Sequence, residues 1–143
     1  MKSKQTLSID QMKRLQELGL DTSDASMVLI AIDDDSCPLD WETALEAMST
    51  HLYDVSFNLF DADSPYYDHS YRKDCGVFTL QDILDKLPPS INWNPLIIVG
   101  NSVMYSAGYG EGYDHPIKVF KEESLLESAY KMLLWIIEQN FFR

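Results

Sequence analysis

The stretch from residue 124 to residue 137 constrains the fold most. Ser124-Leu125-Leu126-Glu127 has the spacing of a capping box, in which a side-chain oxygen and a backbone amide satisfy each other across the first helical turn. Behind it Ala129, Tyr130, Leu133, Leu134 and Ile137 recur at helical spacing, while Trp135 and Ile136 widen the stripe beyond what one sheet face requires. This predicts a long apolar helix over 125–139, either deeply buried or shared with a partner. A helix of that kind needs a covering layer, and the preceding residues supply one. Segments 95–99 and 103–109 flank Gly100-Asn101, a pair that tolerates the positive φ of a tight hairpin, and 117–120 should add a third strand. The expected architecture is therefore α+β, with helices packed on an antiparallel or mixed sheet.

The rest of the chain fits that class. Ser8-Ile9-Asp10-Gln11 reads as another capping box, with Met12, Leu15 and Leu18 on the core face of a helix over about 9–18 that Gly19 ends. The β-branched run 27–32, stopped by Asp33-Asp34-Asp35, suits a central strand covered on both faces. Asp40 can cap a helix carrying Trp41, Ala44, Leu45 and Met48, after which Tyr53, Val55, Phe57 and Leu59 alternate as a strand. Thr79-Leu80-Gln81-Asp82 opens a short helix over about 80–87, which Pro88-Pro89 cannot continue. Between these elements, residues 61–75 lose all periodicity and form an irregular loop. With no linker, repeat or composition break, residues 1–143 are expected to be a single domain.

The segment from Thr79 to Pro88 (TLQDILDKLP) and the closing Glu123-Ser124 through Trp135 (ESLLESAYKMLLW) resemble a set of short uncharacterised proteins of gut Bacteroides-type bacteria and their mobile elements. There a similar helix leads into a hairpin and a closing helix, and the likeness covers about a third of the chain. The resemblance implies an origin in mobile elements and brings no known activity to carry over. The long 33–75 segment departs from it.

Composition narrows the chemistry. At 143 residues, 45% hydrophobic and 12% aromatic, the chain can bury a core without metal or disulfide support. A charge of −12, from 23 acidic and 11 basic residues, opposes direct contact with nucleic acid or with an anionic membrane. The run 132–137 is far too short to span a bilayer, and the polar residues Ser8, Asp10 and Gln11 break any signal-peptide core behind the first residues. Cys37 and Cys75 lie far apart with no paired spacing, so two free thiols in a reducing, cytoplasmic setting are expected.

No constellation completes a catalytic, cofactor or metal site. Asp33-Asp34-Asp35 and Asp61-Ala62-Asp63 could offer oxygens to a hard cation. An EF-hand counted from Asp61, however, puts Pro65 and Arg72 at ligand positions, and one counted from Asp33 ends on Ala44. Cys75, His69 and Asp74 contain the residue types of a thiol nucleophile without its context. Cys37, His51, His69 and Cys75 lack the short paired spacings of structural zinc. Gly108-Tyr109-Gly110-Glu111-Gly112 is followed by Asp114-His115-Pro116 and a strand, where a phosphate-cradling loop needs a helix.

What remains is contact chemistry. Tyr66, Tyr67 and Tyr71 cluster in the irregular loop, and Trp135, Phe141 and Phe142 finish the last helix and the C-terminus. Such aromatic residues bring large area at low entropy cost to protein interfaces. The expected function is a non-enzymatic protein-binding or accessory module, with a basic protein as partner. One form of it is an acidic protein that fills a basic groove which otherwise holds nucleic acid. The alternatives are a small hydrolase or metal-dependent enzyme using the 61–75 loop, and a homodimer built on the last helix.

Overall fold

The computed structural model describes residues 6–68, 72–106 and 117–139, without the side chains of residues 72 and 73. The fold is α+β, with helices and two antiparallel sheets. It gathers into two compact units, Ser8–Phe78 and a second formed by Thr79–Arg143 with Met1–Leu7. Among the described residues no helix is long and apolar enough to cross a membrane.

The Ser8–Phe78 unit opens with α1 (Ile9–Glu17). The Ser8 hydroxyl accepts from the Gln11 amide at 3.2 Å and the Gln11 side chain accepts from the Ser8 amide at 2.9 Å. Met12 and Leu15 are fully buried, while Leu18 sits only half-buried at the helix end. Gly19, at a φ of 90°, lets the chain leave.

The core strand β1 (Met27–Ile32) runs through the middle of the first sheet. Strand β3 (Ser56–Asp61) pairs along one whole side, from Met27 opposite Asp61 to Ile32 opposite Ser56. The other side is divided between β2 (Pro38–Leu39), opposite Ala31 and Ile32, and β4 (Gly76–Val77), opposite Met27 and Val28. In the interval between these two short partners the Trp41 indole N–H donates to the Leu29 carbonyl at 2.9 Å. Trp41 opens α2 (Trp41–Thr50), whose N-cap Asp40 accepts from the Thr43 amide at 2.9 Å. The one-turn helix α3 (Arg72–Cys75) leads into β4. The expected alternation holds for Tyr53, Val55 and Phe57, half-buried between the exposed Asp54, Ser56 and Asn58, and breaks at Leu59. The strand starts only at Ser56, Leu59 is exposed, and Phe60 is half-buried with its ring stacked on Tyr67 at 5.6 Å.

The second unit begins with α4 (Leu80–Lys86), capped reciprocally by Thr79 and Asp82. A meander follows: β5 (Ser90–Ile91), β6 (Asn94–Val99), β7 (Ser102–Tyr105) and β8 (Lys118–Lys121), each strand antiparallel to the one before. Thr6 joins the same unit through a bridge to Thr79. Helix α5 (Leu125–Glu138) lies on β7, β8 and α4. It buries Leu126, Ala129, Tyr130, Met132, Leu133 and Ile136, and leaves Leu134, Trp135 and Ile137 half-buried. The wide apolar stripe is thus largely covered within the chain. Ser128, also buried, donates its hydroxyl proton to the Asn101 carbonyl and accepts from the Glu122 amide at 2.8 Å, tying helix to hairpin.

Candidate protein-binding surfaces

Of the residues expected to form an interface, Tyr71, Phe141 and Phe142 lie outside the described residues, as do His69 and the 108–112 glycine segment. Tyr66 is 84% exposed at the end of the turn after β3, held there by its amide donating to the Ser64 hydroxyl at 3.2 Å. Tyr67, one residue on, has a different job. Its hydroxyl donates to the Ala62 carbonyl and its ring stacks on Phe60, so it braces the start of the loop. Trp135 is half-buried on α5, with the Lys118 ammonium 6.0 Å from its ring centroid and 5.1 Å from that of Phe120. Among the described candidates, Tyr66 is therefore the one that is fully presented, while Tyr67 and Trp135 are half-buried.

The most exposed aromatic among the described residues, Trp93, was not legible in the sequence. Strands β5 and β6 pair Ser90 with Pro95 and Ile91 with Asn94, which leaves Asn92 and Trp93 as a two-residue turn. Both take positive φ, 49° and 69°, the pattern of a type I′ turn whose twist matches that of the flanking strands. Asn94 ties the turn by donating its side-chain amide to the Ile91 carbonyl at 3.1 Å and the Asn92 carbonyl at 2.9 Å. Asn92 suits its position. Trp93 occupies the position that favours glycine, and a bulky residue held at left-handed φ carries a strain of about 1–2 kcal/mol. Its side chain gains nothing from the fold in return, being 96% exposed. The signal that could have located it is Asn92, a turn residue between Ile91 and Asn94, but a tryptophan in second place conceals a hairpin.

The chain matches no protein-family model, no curated protein and no solved structure. Function is therefore read from these surfaces and from the reactive groups.

The thiols are free, Cys37 exposed and Cys75 buried. Burial, with the nearby charges of Asp74 and Asp40, pushes the Cys75 thiol up to about 11, so at neutral pH it is protonated and a poor nucleophile. Asp33 spends one carboxylate oxygen on the amides of Asp35 and Cys37, at 2.9 and 2.8 Å, which makes it the organiser of its own turn. Among the described residues no three His, Cys, Asp or Glu side chains gather as a metal site would need. Asp40, exposed, has its carboxyl held below the ordinary value by the Thr43 hydroxyl and the Thr43 amide, the signature of a helix cap.

Proposed function

We propose that the chain is a non-enzymatic protein-binding module, accessory in character, that uses the Trp93 hairpin as its contact point. A single observation supports this reading: a tryptophan held in a strained backbone conformation with almost none of its surface covered. Strain that contributes nothing to the fold is a feature of sites under functional selection. Tryptophan is also the residue type most enriched where a few side chains carry the binding energy of an interface. Tyr66 is a second, separate contact candidate. The mobile-element resemblance of the 79–88 and 123–135 segments agrees with an accessory role, and the net charge of −12 favours a basic partner.

The test is affinity purification from the native host with the full chain, the Trp93→Gly variant and the Tyr66→Ala variant, partners being identified by mass spectrometry. A partner retained by the full chain and lost with Trp93→Gly, while that variant keeps its circular dichroism and gains thermal stability, is the expected result. It should also shift the tryptophan emission of the full chain to the blue when added back, and leave that of Trp93→Gly unchanged. Loss of folding in Trp93→Gly, or an unchanged set of partners, would overturn the assignment of Trp93.

A further inference from the structure

The end of α2 opens a groove. His51 takes a left-handed φ of 55°, and the amides of His51 and Leu52 donate to the carbonyls of Met48 and Ala47 at 3.3 and 3.0 Å. Such a closure normally lays the residue after the turn against the last helical turn as an apolar seal. Here the seal is open: Leu52 remains 73% exposed and Met48 45%. The space beside them is a mostly apolar groove of about 320 Å³ lined by Glu42, Thr43, Glu46, Ala47, Leu52 and Tyr53.

Its rim carries Glu42 and Glu46, one helical turn apart, where like charges repel. Among the described residues neither carboxylate takes part in an ion pair. The groove thus combines an uncovered aliphatic floor with two unneutralised carboxylates at its edge. A hydrocarbon ligand would answer the first and a metal ion the second, but each would leave the other unanswered.

We infer that this groove receives the side chain of a lysine or arginine from a basic partner protein. Both residues pair a long aliphatic stem with a terminal cation. The stem lies over Leu52 and Tyr53 while the cation reaches Glu42 and Glu46 with charge-assisted hydrogen bonds. The volume sits at the lower end of ligand pockets and leaves room for one long side chain. The acidity of the whole chain draws such a partner in. This inference rests on the protein-binding reading only in taking the occupant from a protein. It lies in the Ser8–Phe78 unit and is independent of Trp93.

The test is an amide NMR titration of the full chain with an acetylated, amidated Gly-Arg-Gly peptide, its lysine counterpart, and a control with citrulline in place of arginine. Citrulline keeps the stem and removes the charge. Saturable shifts at the amides of Thr43, Ala47 and Leu52 are expected with the two cationic peptides, and about three- to tenfold weaker binding in Glu42→Gln and in Glu46→Gln. Added salt should weaken binding further, and Leu52→Ser should weaken it without altering the helix. Equal shifts with the citrulline peptide, shifts that survive both glutamine substitutions, or unsaturable shifts spread over acidic residues elsewhere would each overturn the inference. Because Trp93→Gly leaves this groove untouched, cationic peptides should bind that variant as they bind the parent. Failure here and failure of the Trp93 assignment therefore show separately.

Discussion

At the turn between β6 and β7 the left-handed position belongs to Gly100, where a φ of 59° strains nothing because no Cβ is present. At the turn between β5 and β6 it belongs to Asn92 and Trp93. The first hairpin is anchored from several directions. Val103 and Tyr105 are fully buried, the Tyr105 hydroxyl donates to the Pro88 carbonyl at 2.7 Å, and Asn101 donates its side-chain amide to the Glu123 carbonyl at 3.1 Å. The second has two paired positions and an uncovered tip. One sheet therefore holds a hairpin whose residues serve the fold and another whose most conspicuous residue does not. The difference separates what stabilises this unit from what is available to a partner.

The contrast can be broken most directly at Tyr105. Replacing a buried aromatic residue by alanine should lower stability by about 3–5 kcal/mol, and Tyr105→Phe by about 1 kcal/mol through the lost hydroxyl bond, both measured by urea denaturation. Burial also raises the Tyr105 hydroxyl pKa above its ordinary value. The folded chain then holds that proton more tightly than the unfolded chain. Its contribution to stability is complete below the ordinary tyrosine range and is lost as pH rises beyond it. Alkaline denaturation should accordingly be shallower in Tyr105→Phe, and an identical pH profile would refute this.

Gly100→Val should lower stability by about 1–2 kcal/mol, purely through backbone conformation. Nothing lies within 4 Å of an added Cβ at Gly100, so a larger loss would point to contacts that the structure lacks. Trp93→Gly should act in the opposite sense, raising stability by about 0.5–1 kcal/mol once the greater freedom of unfolded glycine is subtracted. A loss there would assign Trp93 to the fold and erase the distinction between the hairpins. Smallest is Asn94→Ala, expected to lower stability by about 0.5 kcal/mol as one part-buried and one exposed bond to the turn are removed. Thermal melts of the two variants side by side would show opposite signs.

The elements legible in the sequence are those with a local cause. Helices α1, α4 and α5 start where Ser8, Thr79 and Ser124 stand, because a capping hydroxyl acts within three residues. The β6–β7 hairpin was visible through Gly100, although only Gly100 takes positive φ there and Asn101 serves as a tether. Strands β2, β4 and β5, of two residues each, carry no period, and each exists only because another strand offers its edge. Among the described interface candidates, the roles that the structure gives them were hidden for a related reason. Composition cannot tell Tyr67, whose hydroxyl and ring brace a loop, from Tyr66 beside it, nor Trp41, buried with its N–H bonded, from Trp93. That distinction is one of burial, which long-range packing decides.

The bridge between Thr6 and Thr79 has a consequence for the order in which the chain can assemble. The Ser8–Phe78 unit is inserted into the sequence of the other, and Thr6 and Thr79, which flank it in sequence, are bridged. As the chain leaves the ribosome the inserted unit is complete before any of α4, the meander or α5 has been made. Leu7, one of the largest fully buried side chains, belongs to a unit whose other segment begins at Thr79. The first described residues must therefore wait through the synthesis of a whole folded unit before finding their place. An insert that has already folded makes the later closure of Thr6 on Thr79 less costly, since it replaces a long floppy loop by a compact one.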